Sequence, residues 1–375
     1  MSDWILILTV VVLLAFFAAR WLIHMFLEGA SLCKYDKKIA DSRVGTSYQG
    51  SPEHQEVLCL LEQVSAEVRA TPNRKKRLEA LRRMMTKGFF RPPLLVNEQG
   101  YRVQQVSAEG VEGEWVLSPQ SDKNRRLLYL HGGSFISGCP QGHRVLTTEL
   151  ARVTGASVFA LNYRLLPEYS RREQIHDCQM AYHWILENSP EDSSPVREFF
   201  VAGDSAGGNL ALMLATWARD LGLRSADGVI ALSPSVDMTF SSPTLKSNLN
   251  TDPMLGPSLE AILKLPHSFI LLIVWIMHRI PPPNPLISPI FGDLSNLPST
   301  LIQVSEAEMM LGDAQRYTNK ARAAGSPVTL ETWPDLVHVW HLFEPILPEA
   351  GEAIERIGQF VKHCVGNSGN TGSQT

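Results

Sequence analysis

One serine lies where an apolar run meets a helical pattern. Phe199 to Ala202 have strand character, Gly203-Asp204-Ser205-Ala206-Gly207-Gly208 follows, and Leu210, Met213, Leu214, Trp217 and Leu221 recur at helical spacing behind it. A Gly-x-Ser-x-Gly turn of this kind forces its serine into a strained backbone conformation and lifts Oγ above the sheet, while the glycines let strand and helix approach without Cβ clashes. The chemistry this permits is nucleophilic attack on an acyl carbon. The amide of Ala206, at the positive end of the new helix, is then aimed at the developing oxyanion. Upstream, Arg126 to Leu130 reads as a buried strand running into His131-Gly132-Gly133-Ser134-Phe135, a glycine-rich loop of the kind that supplies the remaining oxyanion donors. The expected donors there are Gly133, with Gly132 or Ser134 as a third.

A serine hydroxyl is a poor nucleophile near neutral pH and needs a base within hydrogen-bond reach, itself oriented by an acid. The base must come late, on a loop at the carboxyl end of a strand. His338 meets that condition, because it follows the last strand pattern and the turn-like Trp333-Pro334-Asp335 and precedes the final helix. His341 is the runner-up, and His131 is expected to organise its own glycine loop. The acid belongs after the strand Leu301 to Val304, where Glu306, Glu308 and Asp313 are available. Asp204 reads as a structural or cap-facing carboxylate, and Asp177 and Asp252 as structural hydrogen-bonding groups. No His-Glu-x-x-His or Cys-x-x-Cys pattern argues for a metal, and no cofactor is expected.

Taken together, His131-Gly132-Gly133-Ser134, Asn162-Tyr163-Arg164-Leu165-Leu166-Pro167-Glu168, Gly203 to Gly208, Asp252-Pro253-Met254-Leu255 and the segment Trp333-Pro334 to His338 resemble the hormone-sensitive-lipase-like α/β-hydrolase esterases. The likeness runs from about residue 50 to 363. It implies a serine carboxylesterase or lipase built on an eight-stranded sheet, with nucleophile, acid and histidine in that chain order. By the family's spacing, Glu308 takes the place usually held by aspartate, which is a departure from the commoner pattern. Ser134 stands where the commonest loop has a third glycine, and since the donor is main chain a small serine preserves it. The family also implies that the helices before residue 99 form part of a cap.

The elements that must position these residues are legible as alternation. Strand patterns at Tyr101 to Ser107, Glu114 to Ser118, Arg126 to Leu130, Ser157 to Leu161, Phe199 to Ala202, Gly228 to Leu232, Leu301 to Val304 and Val328 to Thr332 are separated, after the third, by helical stretches near 143–154, 172–188, 206–221, 310–324 and 346–362. Such alternation means a mostly parallel sheet covered on both faces. Between Ser233 and Pro289 it stops. This insertion holds the apolar run Phe269 to Met277, too short to span a bilayer and read as a cap helix or as a lid that dips into one.

Trp4 to Ala19 carries no charged residue, and past Arg20 the apolar character continues from Trp21 to Leu27, about 23 residues or roughly 35 Å as a helix. A retained transmembrane or signal-anchor helix is expected over 1–28, with a surface-lying helix as the alternative. Lys34, Lys37, Lys38 and Arg43 follow it, so the positive-inside rule puts the body on the cytoplasmic side. The expected order is this anchor, a linker (29–50), N-terminal cap helices (51–98), a catalytic domain (99–364) with a cap insertion (239–285), and a disordered tail (365–375). A composition of 44% hydrophobic and 19% charged residues with net charge −4 suits a large α/β core and offers no basic surplus for nucleic acid. The partners expected are a membrane and a small-molecule or lipid ester. Amide deacylation by the same residues, and ligand binding without turnover, are the competing functions.

Overall fold

The strand patterns of the sequence become the eight strands of one sheet: β1 (Arg102–Ala108), β2 (Val111–Leu117), β3 (Asp122–Leu130), β4 (Ala156–Leu161), β5 (Glu198–Asp204), β6 (Gly228–Leu232), β7 (Thr300–Ser305) and β8 (Val328–Trp333). In this computed structural model, which describes residues 2–45, 51–87 and 100–371, their spatial order is β1-β2-β4-β3-β5-β6-β7-β8. The first three neighbours pair antiparallel, and every pairing from β4 onward is parallel. The helices are α1 (Ser2–Ile23), α2 (Pro52–Ala70), α3 (Arg74–Thr86), α4 (Arg144–Thr154), α5 (Arg171–Glu187), α6 (Ala206–Asp220), α7 (Thr244–Ser247), α8 (Gly256–Leu263), α9 (His267–His278), α10 (Leu311–Ala323) and α11 (Pro348–Thr371).

Side chains alternate across a strand, so each central strand feeds two cores. Leu128 and Leu130 of β3 and Val201 of β5 face α5, α6 and α10 through Ile175, Leu210, Leu214 and Tyr317. Leu127, Tyr129 and Phe200 face the opposite way, onto Leu146 and Leu150 of α4 and Ile354 and Ile357 of α11. Every residue of β4, β6 and β7 is buried, which explains why β4 and β6 read as largely apolar. Local signals set the helix starts. Ser51 accepts the amide of His54 at 3.1 Å ahead of Pro52, and Ser170 and Glu173 form a reciprocal capping box on α5.

Several sequence expectations change. Residues 29–45 of the expected linker are docked: Asp36 pairs with Arg316 of α10, Asn319 donates to the carbonyls of Tyr35 and Lys37, and Arg43 bridges to Thr332 beside β8 and pairs with Glu306. Residues 46–50 lie outside the described residues, as do 88–98 of the expected N-terminal cap and residue 99. The expected disordered tail begins inside α11, which continues to Thr371; residues 372–375 lie outside the described residues. At the other end, α1 stops at Ile23 and gives way to a π-helical turn, His24–Glu28, whose Leu27 is buried. Among the described residues no single helix is long and apolar enough to cross a membrane, so a spanning anchor over 1–28 is not supported by the structure. The bent pair α8 and α9, turned by 116°, passes that test of length and composition together.

Asp313, in the first turn of α10, accepts the amides of Val236 and Asp237 at 2.9 and 3.1 Å and so pins the loop after β6. Burial, reinforced by Asp237, pushes its carboxyl up from 3.8 to about 8. The folded state then holds a proton that the unfolded chain has released, so this group makes stability fall as pH rises from 3.8 toward about 8. Asp313→Asn should flatten that fall, measured as melting temperature between about pH 5 and 8. Its kcat should stay within about tenfold of the wild type; a thousandfold loss would give Asp313 a direct part in the chemistry.

Candidate active site

Ser205 sits between the end of β5 and the first residue of α6 with φ 52° and ψ −115°. A non-glycine residue held there stores on the order of 1–3 kcal/mol and persists only when its surroundings over-determine it. They do so by crowding. A Cβ on Gly207 would lie 1.8 Å from the carbonyl oxygen of Leu130, and one on Gly203 would lie 2.3 Å from that of Gly207. The Ser205 amide donates to Leu232 at 2.7 Å, tying the turn to β6.

The structure brings His338 and Glu308 to this serine. Nε2 of His338, on the loop after β8, is 2.9 Å from Ser205 Oγ, and its Nδ1 is 2.5 Å from Glu308 Oε2. Glu308 lies on the loop after β7 with no solvent exposure. Its extra methylene relative to aspartate is absorbed by folding the side chain back over its own turn, where Oε1 accepts the amide of Ser305 at 2.5 Å. The same oxygen accepts the hydroxyl of Ser233 at 2.8 Å, and that hydroxyl accepts the amide of Val339, next to the histidine, at 3.3 Å. Ser233 therefore ties acid and base together, a link the sequence reading missed. The available signal was its place: a serine before Pro234, immediately after β6, at the strand end where functional loops gather.

Burial and the mutual pull of the pair act on both groups. Burial alone would depress His338, but the Glu308 charge and hydrogen bond outweigh it and raise the imidazole above 6.5. Burial raises the Glu308 carboxyl, with His338 pulling against it.

The glycine loop is held from below. Asp204, buried at the end of β5, accepts the hydroxyl of Tyr129 at 2.5 Å and the amide of Gly132 at 2.8 Å. The Gly132 amide is thus engaged with a carboxylate, whereas those of Gly133, Ser134 and Ala206 have no acceptor among the described residues. Gly133 has φ 115° and Ser134 φ 55°, so two successive residues turn their amides in a left-handed conformation. Asp204 is structural rather than cap-facing, with His143 3.7 Å away. His131 does organise the loop: it stacks on Tyr163 at 4.2 Å, its Nδ1 is 2.8 Å from the Gly132 carbonyl, and burial lowers it to about 3, leaving it neutral.

The other candidates are placed elsewhere. His341 meets Gln303 at 2.9 Å and is lowered by burial to about 3. Glu306 turns outward to Arg43 and Thr332. Asp177 pairs with Arg164, and Asp252 accepts the amides of Met254, Leu255 and Met309. Among the described residues no cluster of three or more His, Cys, Asp or Glu is arranged to hold a metal ion.

Residues 127–342 match the family model of the alpha/beta hydrolase fold. An acetyl-hydrolase of Streptomyces hygroscopicus is 36% identical over 68% of this chain and 80% of that protein. The esterase LipU of Mycobacterium tuberculosis is 32% identical over 70% of this chain and 85% of its own. A crystal structure of an esterase from the bacterial hormone-sensitive lipase family superposes with a TM-score of 0.70 at 31% identity, covering 84% of this chain and 99% of that one.

A base raised above 6.5 must lose its proton before it can accept another, so the acid limb of kcat/KM should have its midpoint above pH 6.5. Glu308→Gln removes the charge that raises it, and should move that limb to lower pH while kcat falls by about 10³, roughly 4 kcal/mol. Ser233→Ala should lower kcat by about tenfold with KM for a short ester little changed, since a hydrogen bond to a charged group contributes about 1.5–3 kcal/mol. An unchanged pH profile in Glu308→Gln would remove the carboxylate from its role.

Proposed function

The chain belongs to the alpha/beta hydrolase fold family, and on that premise we propose that it is a serine carboxylesterase or lipase hydrolysing apolar acyl esters through an acyl-enzyme intermediate. The observation that carries this reading is the unbroken line of hydrogen bonds from Ser205 through His338 to Glu308. Ser205 Oγ attacks the ester carbonyl as His338 Nε2 takes its proton. The oxyanion is held by the amides of Gly133 and Ala206, with Ser134 beside them; the bond from Gly132 to Asp204 takes that amide out of the expected donor set. His338 returns the proton to the departing alcohol, then activates water to release the acid, and Glu308 stabilises the imidazolium in each half. Each preorganised donor lowers the barrier by about 3 kcal/mol. Relatives named acetyl-hydrolase and esterase support an ester rather than an amide as substrate, and the presence of all three side chains argues against ligand binding without turnover.

The reading extends to a membrane. Helix α1 leaves Trp4, Ile5, Leu8 and Leu14 exposed, large apolar side chains on more than one side of a single helix. We assign it to a lipid bilayer, with Lys34, Lys37 and Lys38 behind it favouring the anionic cytoplasmic leaflet.

Ser205→Ala should fold normally and lose all but a trace of ester hydrolysis, and a fluorophosphonate probe should label the wild type at Ser205 and leave the variant unlabelled; His338→Ala should lose as much, because the two act as a unit. Retention of more than a few percent of kcat would remove Ser205 from its role. Removing residues 1–23, which keeps buried Leu27, should abolish carbonate-resistant membrane attachment and leave activity toward a water-soluble ester within about twofold.

A further inference from the structure

Helix α9 has two faces of opposite fate. Ile270, Leu271, Val274 and His278 are buried inward. On the other side Phe269, Trp275, Ile276 and Met277 are 59%, 45%, 60% and 51% exposed, which for large apolar side chains crowded onto one short helix marks a contact surface. No acidic or basic residue other than histidine occurs between His267 and His278, so nothing in the helix itself opposes an apolar environment.

The identity of what covers this face follows from where α1 stands. Helix α1 and the turn His24–Glu28 pack against α9. At Gly29, with φ 74°, the chain then passes so close to the segment following α9 that a Cβ there would lie 2.6 Å from Pro283. The base of α1 is therefore seated against α9 and the segment that follows it instead of hanging on a free tether. A bilayer that takes up α1 must meet α9. The exposed apolar face of α9 belongs to the helix that α1, itself exposed and apolar, packs against, and α8 is bent from α9 by 116°, the shape of an element that enters an interface and returns.

The inner face leads to the chemistry. His278 meets Phe135 edge-on with ring centroids 5.9 Å apart, and Phe135 directly follows Ser134 of the oxyanion loop. Packed helices sit about 8–10 Å from their neighbours, so one helix thickness separates the outer face from the loop that binds the oxyanion.

We propose that the outer face of α9 is a bilayer-docking surface which, together with α1, seats the catalytic domain on the membrane and admits acyl esters dissolved in it directly to Ser205. The proposal rests on the assignment of α1 to a bilayer. Substrate reaches the site from the lipid phase, and long acyl chains need not cross water.

The test uses the full-length protein with phosphatidylcholine vesicles carrying a long-chain acyl ester, and the double variant Phe269→Asp, Ile276→Asp, whose positions already face outward and so place no new demand on folding. The expected result is at least a tenfold loss in the rate on vesicle-borne ester, with hydrolysis of a water-soluble short ester within twofold and co-flotation with vesicles retained through α1. Brominated lipid should also quench the wild type more than Trp275→Phe. Equal rates on vesicle-borne ester for variant and wild type, with flotation intact, overturn the docking surface and leave the α1 assignment standing. Failure of the wild type to float overturns both. A wild type that is dimeric in detergent and becomes monomeric in the double variant shows the face to be a subunit interface and also overturns the proposal.

Discussion

A carboxylate with no solvent contact governs the architecture around Ser205. Glu308 is fully buried, and a charge in that position is stable only if both oxygens are satisfied and a countercharge is near. One oxygen meets His338; the other takes the Ser305 amide and the Ser233 hydroxyl. The turn that carries it is clamped in its turn. Asn248 donates to the carbonyls of Glu306 and Glu308, Thr251 to that of Ala307, and Asp252 accepts the amide of Met309. These clamps all come from the start of the insertion after β6. The insertion is thereby coupled to the loop that carries Glu308.

A second buried charge has the same logic on the other side of Ser205. Burial alone would raise Asp204, but His143 outweighs it and the carboxyl is held below its usual value. In that state it accepts from Tyr129 and from Gly132, and a Cβ on Gly132 would lie 2.1 Å from its Oδ2. The glycine is there to let a loop approach a carboxylate. Nucleophile and oxyanion loop are thus registered through the residue that immediately precedes Ser205, so that movement of one carries the other.

What the sequence could disclose divides along physical lines. Most strands and helices of the sheet were legible from their apolar patterns, and the meeting of Ser205 with His338 because one stands in a strand-turn-helix pattern and the other on the loop after the last strand. The acid was open among Glu306, Glu308 and Asp313 on the residues alone, since which carboxylate reaches Nδ1 depends on how one turn folds back. The partners of Ser233 and of Arg43 could not be read from the sequence, being pairings between segments far apart in the chain, although the place of Ser233 at the end of β6 was itself a signal. The stretch 29–45 read as a linker because it lacks periodicity. It is ordered by side chains meeting partners on α10 and β8, and no local pattern announces such partners.

That docked stretch has a mechanical consequence. Arg316 of α10 is nearly buried and joins Asp36 to Asp237 and Ser241, while the neighbouring Asp313 pins the loop in which Asp237 lies. Arg43 reaches Glu306, two residues from Glu308, from a solvent-open position where screening leaves an ion pair weak. The two ties therefore differ in strength. The contact through Arg316 is shielded from solvent and fixes residues 33–37 to the core, whereas the one through Arg43 is the first that salt would loosen. The position of α1 relative to the sheet is set by the shielded tie together with the close approach at Gly29, so the N-terminal helix is held by contacts separate from those that clamp the loop of Glu308.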